Sequence, residues 1–85
     1  MSISIEQGTF ETSTDSHTLD LDSSLFPTGK AAPTVVANPL HTNGNYNVFI
    51  SSLEVVGGSW RVIFGISGKP DGVITISYRA ITRTT

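Results

Sequence analysis

The stretch YNVFISSLEVVGGSWRVIFGI, residues 46–66, contains two runs of β-forming residues that are separated by Gly57 and Gly58. A glycine pair between β runs favours a two-residue type I′ or II′ turn, because these turns need positive φ angles that glycine adopts without strain. The stretch therefore predicts an antiparallel hairpin made of residues 46–56 and 59–66.

This turn also sets the register of the hairpin, which begins with Val56 opposite Ser59 and extends to Phe49 opposite Ile66. Trp60, the only tryptophan, is then either part of the core beside the turn or an exposed platform on which a sugar could stack. The register favours the core, because it places Trp60 on a continuous apolar face. That face comprises Phe49, Leu53, Val55, Trp60, Val62, Phe64 and Ile66.

The opposite face of the hairpin is mixed, with Glu54 opposite Arg61 as a cross-strand ion pair. It also carries more apolar side chains than a water-facing surface requires. We therefore predict a subunit interface on this face; scattered apolar surface residues, which are common, are the alternative. The predicted interface residues are Val48, Ile50, Glu54, Arg61 and Ile63.

The rest of the chain shows no helical period and favours β structure. The sequence thus predicts an all-β fold with no substantial helix. We expect one small antiparallel β-sandwich domain, residues 1–85, with about six to seven strands and a Greek-key-like topology. Leu25 and Phe26 should fold back onto its core. Strands are expected within residues 2–7, 9–12, 17–22, 34–38, 46–56, 59–66 and 73–82.

Residues 1–8 have two interpretations. Alternation places Ile3 and Ile5 on the same side of this segment. The segment is either an edge strand of its own sheet or an N-terminal arm that adds a strand to a neighbouring subunit, with both isoleucines in pockets.

Composition limits the function classes. The net charge of −2 argues against nucleic-acid binding. No apolar run is long enough to cross a membrane, and the first residues lack the basic and apolar regions of a signal peptide. The 85-residue chain has no cysteine, so oligomerisation is the common route left for additional burial. Charged residues are 14% of the chain, which is low for a globular surface.

Charge is unevenly distributed, since acidic residues concentrate in the first 22 positions and basic residues after position 60. This polarity either pairs strands within one fold or steers neighbouring copies together. No motif indicates catalysis, a cofactor or a metal site; Asp20 and Asp22 with nearby His17 lack a calcium loop around them. Candidate glycan contacts in the loops 41–46 and 67–72 are Asn43, Asn45 and Asp71.

Four segments resemble the H-type lectin domain, a small six-stranded antiparallel sandwich that forms trimers. They are QGTFET (7–12), SLFPTGKAAPTVVAN (24–38), YNVFISSLEVVGGSWRVIF (46–64) and GVITISYRAI (72–81). The resemblance implies a homotrimer and, through Asp15, part of a sugar site. The chain departs from the family pattern because its 46–52 strand has no arginine and its 67–72 loop has no aromatic residue.

The chain is also similar to small bacteriophage virion proteins, which need a stable β module and a subunit interface. We therefore expect a non-enzymatic, self-assembling component of a phage particle, either a capsid decoration protein or a small tail or fibre protein. It would be made in the host cytoplasm and would contact copies of itself and major capsid or tail proteins. A trimeric H-type lectin-like module that binds surface glycans is the alternative.

Overall fold

The computed structural model describes residues 2–40, 46–68 and 72–84, and it contains no helix in these ranges. Six strands form two three-stranded antiparallel sheets, which confirms the predicted small all-β sandwich. Sheet A has the order β1-β6-β3, and sheet B has the order β2-β5-β4. The strands are β1 Ser2–Thr12, β2 Ser16–Asp20, β3 Thr34–Pro39, β4 Asn47–Val56, β5 Ser59–Ser67 and β6 Ile74–Thr84.

The hairpin between β4 and β5 turns at the glycine pair, as the sequence predicts. Gly57 has a φ of 61° and Gly58 a φ of 83°. Two positive values are what a type I′ turn requires. The predicted register is confirmed from Val56 opposite Ser59 to Ser52 opposite Ile63.

A β-bulge at Ser51 changes the register beyond that point. The ladder passes from Ser52 opposite Ile63 to Ile50 opposite Phe64, so Ser51 has no cross-strand partner on β5. The predicted pairing of Phe49 with Ile66 is therefore wrong, and Phe49 lies opposite Gly65 instead. One extra residue in a strand reverses the alternation of every side chain that precedes it.

The core fills the space between the two sheets. One cluster comprises Leu21, Phe26, Val62, Phe64 and Ala80. A second comprises Tyr46, Ile66, Ile74 and Ile76. Ile74, Ile76 and Ala80, which alternate along β6, all belong to these clusters.

The loop after β2 returns to this core, as expected for Leu25 and Phe26. The backbone oxygen of Asp22 accepts hydrogen bonds from the backbone N–H groups of Leu25 (3.1 Å) and Phe26 (3.0 Å). The Asp22 carboxylate accepts two more from the hydroxyl and backbone N–H of Ser24, and these bonds lower its pKa. This turn directs Phe26 inward, where it is fully buried.

The N-terminal segment is an edge strand of its own sheet. β1 pairs with β6 along its whole length, from Ser2 opposite Thr84 to Thr12 opposite Ile74. β6 is the central strand of sheet A because β3 lies on its other side. Within this chain, residues 2–8 therefore lie in an edge strand of their own sheet.

Aromatic rings join the two sheets. Phe10 of β1 stacks on His17 of β2 with ring centroids 4.1 Å apart and planes 7° apart. Phe10 also contacts Phe64 of β5 (4.8 Å) and Tyr78 of β6 (6.1 Å). Burial in this cluster lowers the pKa of His17, because an imidazolium loses hydration there.

Glu6 connects three segments at one end of the sandwich. Its Oε2 accepts a hydrogen bond from the Tyr78 hydroxyl and its Oε1 accepts one from the Asp22 backbone N–H, both at 2.9 Å. Burial, with help from the bond to Glu6, raises the pKa of Tyr78 to about 12. The Glu6 carboxylate thus connects β1 with β6 and with Asp22, two residues after β2 ends.

Candidate interaction surfaces

The outer face of sheet B is set by β5, the central strand of that sheet. Val62, Phe64 and Ile66 are buried between the sheets, so the alternate residues of β5 point away from the core. The register then defines three cross-strand rows on this outer face. The rows are Asp20–Arg61–Glu54, Thr18–Ile63–Ser52 and Ser16–Gly65–Phe49.

The predicted subunit interface is divided by the bulge. Glu54, Arg61 and Ile63 lie on the outer face, as predicted. Val48 and Ile50 do not: each packs against a buried core cluster, so their assignment to the outer face is wrong. The physical reason is the extra residue at Ser51, which turns these two side chains inward.

Phe49 takes the outward place that the prediction gave to Val48 and Ile50. The Phe49 side chain is 51% exposed. Its ring lies over Gly65, where an added Cβ would overlap the far edge of the ring. Gly65 is consequently buried although it belongs to the outer face. Together with half-buried Ile63, Phe49 makes this part of the face apolar.

The charged row of the outer face is held by an ion pair. The Arg61 Nε donates to Asp20 Oδ1 at 2.9 Å. The predicted position of Glu54 opposite Arg61 is confirmed, but the salt bridge forms with Asp20 instead. The hydrogen bond to Asp20, with smaller support from Glu54, raises the pKa of Arg61. With two acids and one base, the row carries an excess negative charge.

The outer face of sheet A carries more exposed apolar residues than the outer face of sheet B. Ile3, Ile5 and Val36 are 54%, 48% and 56% exposed. They occupy neighbouring rows of the sheet. The rows, in order, are Ile3–Arg83, Ile5–Ile81–Thr34, Gln7–Arg79–Val36, Thr9–Ser77–Asn38 and Glu11–Thr75.

This surface is not among the sequence-based predictions, although the sequence contains two signals for it. Alternation places Ile3 with Ile5, and it places Arg79 with Ile81 on the outward side of the last strand. What sequence alone does not provide is that these two strands are neighbours, since more than 70 positions separate Ile5 from its partner Ile81.

A groove of about 560 Å³ crosses the middle of this face. Beside it, the Arg79 Nε donates a hydrogen bond to Gln7 Oε1 at 3.2 Å, which holds the guanidinium across β1 and β6. No carboxylate pairs with Arg79 or Arg83 within the described ranges. The groove is lined by Gln7, Thr9, Val36, Asn38, Ser77 and Arg79.

The other candidate residues have separate positions. Trp60 is half-buried against the first core cluster, and its Nε1 donates to the Pro27 backbone oxygen at 3.4 Å, so the core interpretation is confirmed. Asp15 is exposed in the turn between β1 and β2, and its backbone oxygen accepts from the Ile66 N–H. The glycan candidates Asn43, Asn45 and Asp71 lie outside the described residues.

A scan against protein families, a search of curated proteins and a search of solved structures each found no match. In the described part of the chain, no three His, Cys, Asp or Glu residues are grouped so that they could hold a metal ion. The same part includes no helix with the length and apolarity that crossing a membrane requires.

Proposed function

We propose that this chain is a non-enzymatic structural protein that assembles with copies of itself through the outer faces of its sheets. The observation that supports this most is the exposed apolar surface of Ile3, Ile5 and Val36 on sheet A. A contiguous apolar patch rimmed by polar residues is typical of a protein-binding surface.

Energetics support the same proposal. Complete burial of one aliphatic side chain contributes about 1.5–3 kcal/mol. Ile3, Ile5 and Val36 are each about half exposed. Their burial in an interface would therefore contribute a few more kcal/mol of stabilisation. The low content of charged residues, 14%, also leaves few groups that would oppose the approach of a neighbour.

The setting that we propose for this assembly is a bacteriophage particle, as a capsid decoration protein or a small tail or fibre protein. A small, cysteine-free β-sandwich with apolar outer faces suits a role that needs attachment and no chemistry. The partners would be further copies of this chain and major capsid or tail proteins. Capsid or tail genes on either side of the coding sequence would support this setting.

Mass in solution tests self-assembly. The wild-type chain should be larger than a monomer at micromolar concentration, and a clean monomer there would contradict the proposal. Ile5→Asp should reduce the mass while the circular dichroism spectrum stays β-like. Val73→Asp is the matched control, because Val73 is an exposed residue just before β6 and outside the sheet faces. It should assemble like the wild type.

Ile50 makes a useful contrast in the same experiment. Because Ile50 packs against the core, Ile50→Asp should unfold the domain and not merely separate subunits. A folded, monomeric Ile50→Asp variant would show that this residue belongs to an interface after all.

A second candidate function is glycan binding by a trimeric H-type lectin-like module. The groove on sheet A favours it, because amide, hydroxyl and guanidinium groups suit sugar hydroxyls. A glycan array should then give hits that are lost in Arg79→Ala. An array without hits would remove this candidate and leave self-assembly untouched.

A further inference from the structure

We propose that copies of this chain associate head to tail, with the outer face of sheet A of one copy covering the outer face of sheet B of the next. The result is an open stack of sandwiches. This inference rests on the proposed self-assembly and specifies which two surfaces meet.

The two faces carry matching rows in the same order. On sheet B, a charged row (Asp20–Arg61–Glu54) is followed by the Ile63 row and then by the Phe49 row. On sheet A, the Arg83 row is followed by the Ile5–Ile81 row and then by the Arg79–Val36 row. Rows in both sheets are two residues apart, so their spacings agree.

Charge favours contact between unlike faces. The sheet A face contains Arg79 and Arg83, which have no carboxylate partner in the described ranges. The sheet B face offers Glu54, which lies outside the Arg61–Asp20 salt bridge. Contact of the sheet A face with the sheet B face places Arg83 over the Asp20–Arg61–Glu54 row, in which acids outnumber bases. Contact of two sheet A faces with their central rows in register would place Arg79 of one copy against Arg79 of the other, which is unfavourable.

Shape and ring chemistry agree with this orientation. The Phe49 ring lies over Gly65 on the sheet B face, and the residue is about half exposed. The groove on the sheet A face is bordered by Val36 and Arg79 and has a volume of about 560 Å³. This groove can cover the exposed side of the Phe49 ring, with Val36 in apolar contact and the Arg79 guanidinium against the ring face.

The rows of the two sheets also run in the same direction along the sandwich. Glu6, in the middle of β1, binds the N–H of Asp22, just after β2 ends, so the charged row of each sheet lies toward the same end. A neighbouring copy can therefore stack in nearly the same orientation, shifted along the strands until the rows meet. Stacked sheets commonly pack within about 30° of parallel.

The position of the faces decides the kind of assembly. They lie on opposite sides of a thin molecule with extents of 42 × 24 × 15 Å. A face with the two longer extents can accommodate the roughly 800 Å² per partner that stable interfaces bury. Because unlike patches on opposite sides do not close on themselves, repetition gives an open stack and not a ring.

Complementation between two variants tests the proposal. Ile5→Asp removes the A face, and Phe49→Asp removes the B face. Each variant alone should be a monomer. Their mixture should give a 1:1 heterodimer and nothing larger, because one intact sheet A face then meets one intact sheet B face. Native mass spectrometry with one variant isotope-labelled measures this. The wild type should instead grow in mean mass as its concentration rises.

Other outcomes separate the claims. A variant that still dimerises alone, or a mixture without heterodimer, would overturn the pairing of unlike faces. A wild-type trimer whose mass is independent of concentration would overturn the open stack and leave self-assembly standing. A monomeric wild type would overturn both. If Phe49→Asp loses its circular dichroism signal, Ile63→Asp replaces it as the B-face variant.

A charge exchange gives an independent check. Arg83→Glu should reduce the mean mass several-fold at low salt, and the double variant with Glu54→Arg should restore it. Restoration would support contact between Arg83 and Glu54, and its failure would overturn the proposed row alignment. Raising the ionic strength from about 0.05 to about 0.5 M should weaken the wild-type stack, since salt screens exposed charges.

Discussion

The ring of Phe49 on β4 covers Gly65, its cross-strand partner on β5. A second aromatic–glycine pair lies between the sheets, where Tyr78 of β6 is opposite Gly8 of β1. A Cβ added at Gly8 would be 3.4 Å from the Tyr78 ring, which is ordinary van der Waals contact. The aromatic ring thus covers the glycine in sheet B, where Gly65 is buried, whereas Gly8 in sheet A stays exposed.

We predict that Gly65→Ala destabilises the wild-type protein by about 1–3 kcal/mol, because the new methyl group displaces the Phe49 ring. In a Phe49→Ala background the same change should be neutral or stabilising, since alanine is better than glycine in a strand by roughly 0.5–1 kcal/mol. Urea denaturation of the four proteins measures this. Equal effects of Gly65→Ala in both backgrounds would show that the ring does not restrict this position.

The bulge should be removable without changing which side chains of β4 face the core. Deletion of Ser51 would join Ile50 directly to Ser52 and continue a regular ladder, in which Ile50 still pairs with Phe64 and Phe49 with Gly65. We therefore expect the deletion variant to unfold cooperatively, as measured by thermal circular dichroism. Ser51→Ala keeps the extra residue and should unfold like the wild type. A deletion variant without cooperative unfolding would contradict the assignment of Ser51 as the extra residue.

The hydrogen bond between Tyr78 and Glu6 should contribute measurably to stability. Tyr78→Phe leaves the ring in place and removes its donor to the Glu6 carboxylate, so we expect a loss of about 1–3 kcal/mol. In a Glu6→Ala background, where the acceptor is absent, the same change should cost much less. A double-mutant cycle measured by urea denaturation near neutral pH tests this coupling.

The raised pKa of Tyr78 also predicts a loss of stability in alkali. The folded protein holds this proton up to about pH 12, whereas tyrosine in the unfolded chain ionises near pH 10. The stability from Tyr78 is therefore complete below about pH 10 and declines as the pH rises toward 12. The difference between the wild type and Tyr78→Phe should shrink over this range, and a constant difference would contradict the assignment.

His17 should make the fold sensitive to mild acid. Burial lowers its pKa in the folded state, so the unfolded chain takes up this proton first as the pH falls below about 6.5. Stability from neutral His17 is complete above that value and declines toward the folded-state pKa. His17→Phe retains the stack on Phe10 and should flatten this part of the profile, as measured by urea denaturation between about pH 7.5 and pH 5. An unchanged slope would contradict the prediction.

The sequence by itself determines the strands, the glycine turn and the first part of the hairpin register. These features are local: positive φ at Gly57 and Gly58 permits one tight turn, and pairing then follows residue by residue to Ser52. Alternation also predicts which residues of β6 share a side of the strand. Both faces of the proposed interface contain residues, such as Ile5 and Ile63, that alternation places on a defined side of their own strand.

Tertiary structure decides which side chains of β4 before Ser51 face the core. Val48, Phe49 and Ile50 are all apolar, so alternation provides no signal for which of them faces the core. The choice depends on fit: Phe64 and Ile66 lie opposite Ile50 and Val48, and Gly65 leaves room for the Phe49 ring on the other side. Packing against the second sheet therefore selects the bulged register.

Tertiary structure also decides which strands are neighbours, and this determines the outer faces. Asp20 reaches Arg61 only because β2 lies beside β5, and Ile5 meets Ile81 only because β1 lies beside β6. Both pairings join residues more than 40 positions apart, and their order is set by burial of the shared core. The period-two pattern specifies two faces for each strand, but assembly of the sheets determines what each face becomes.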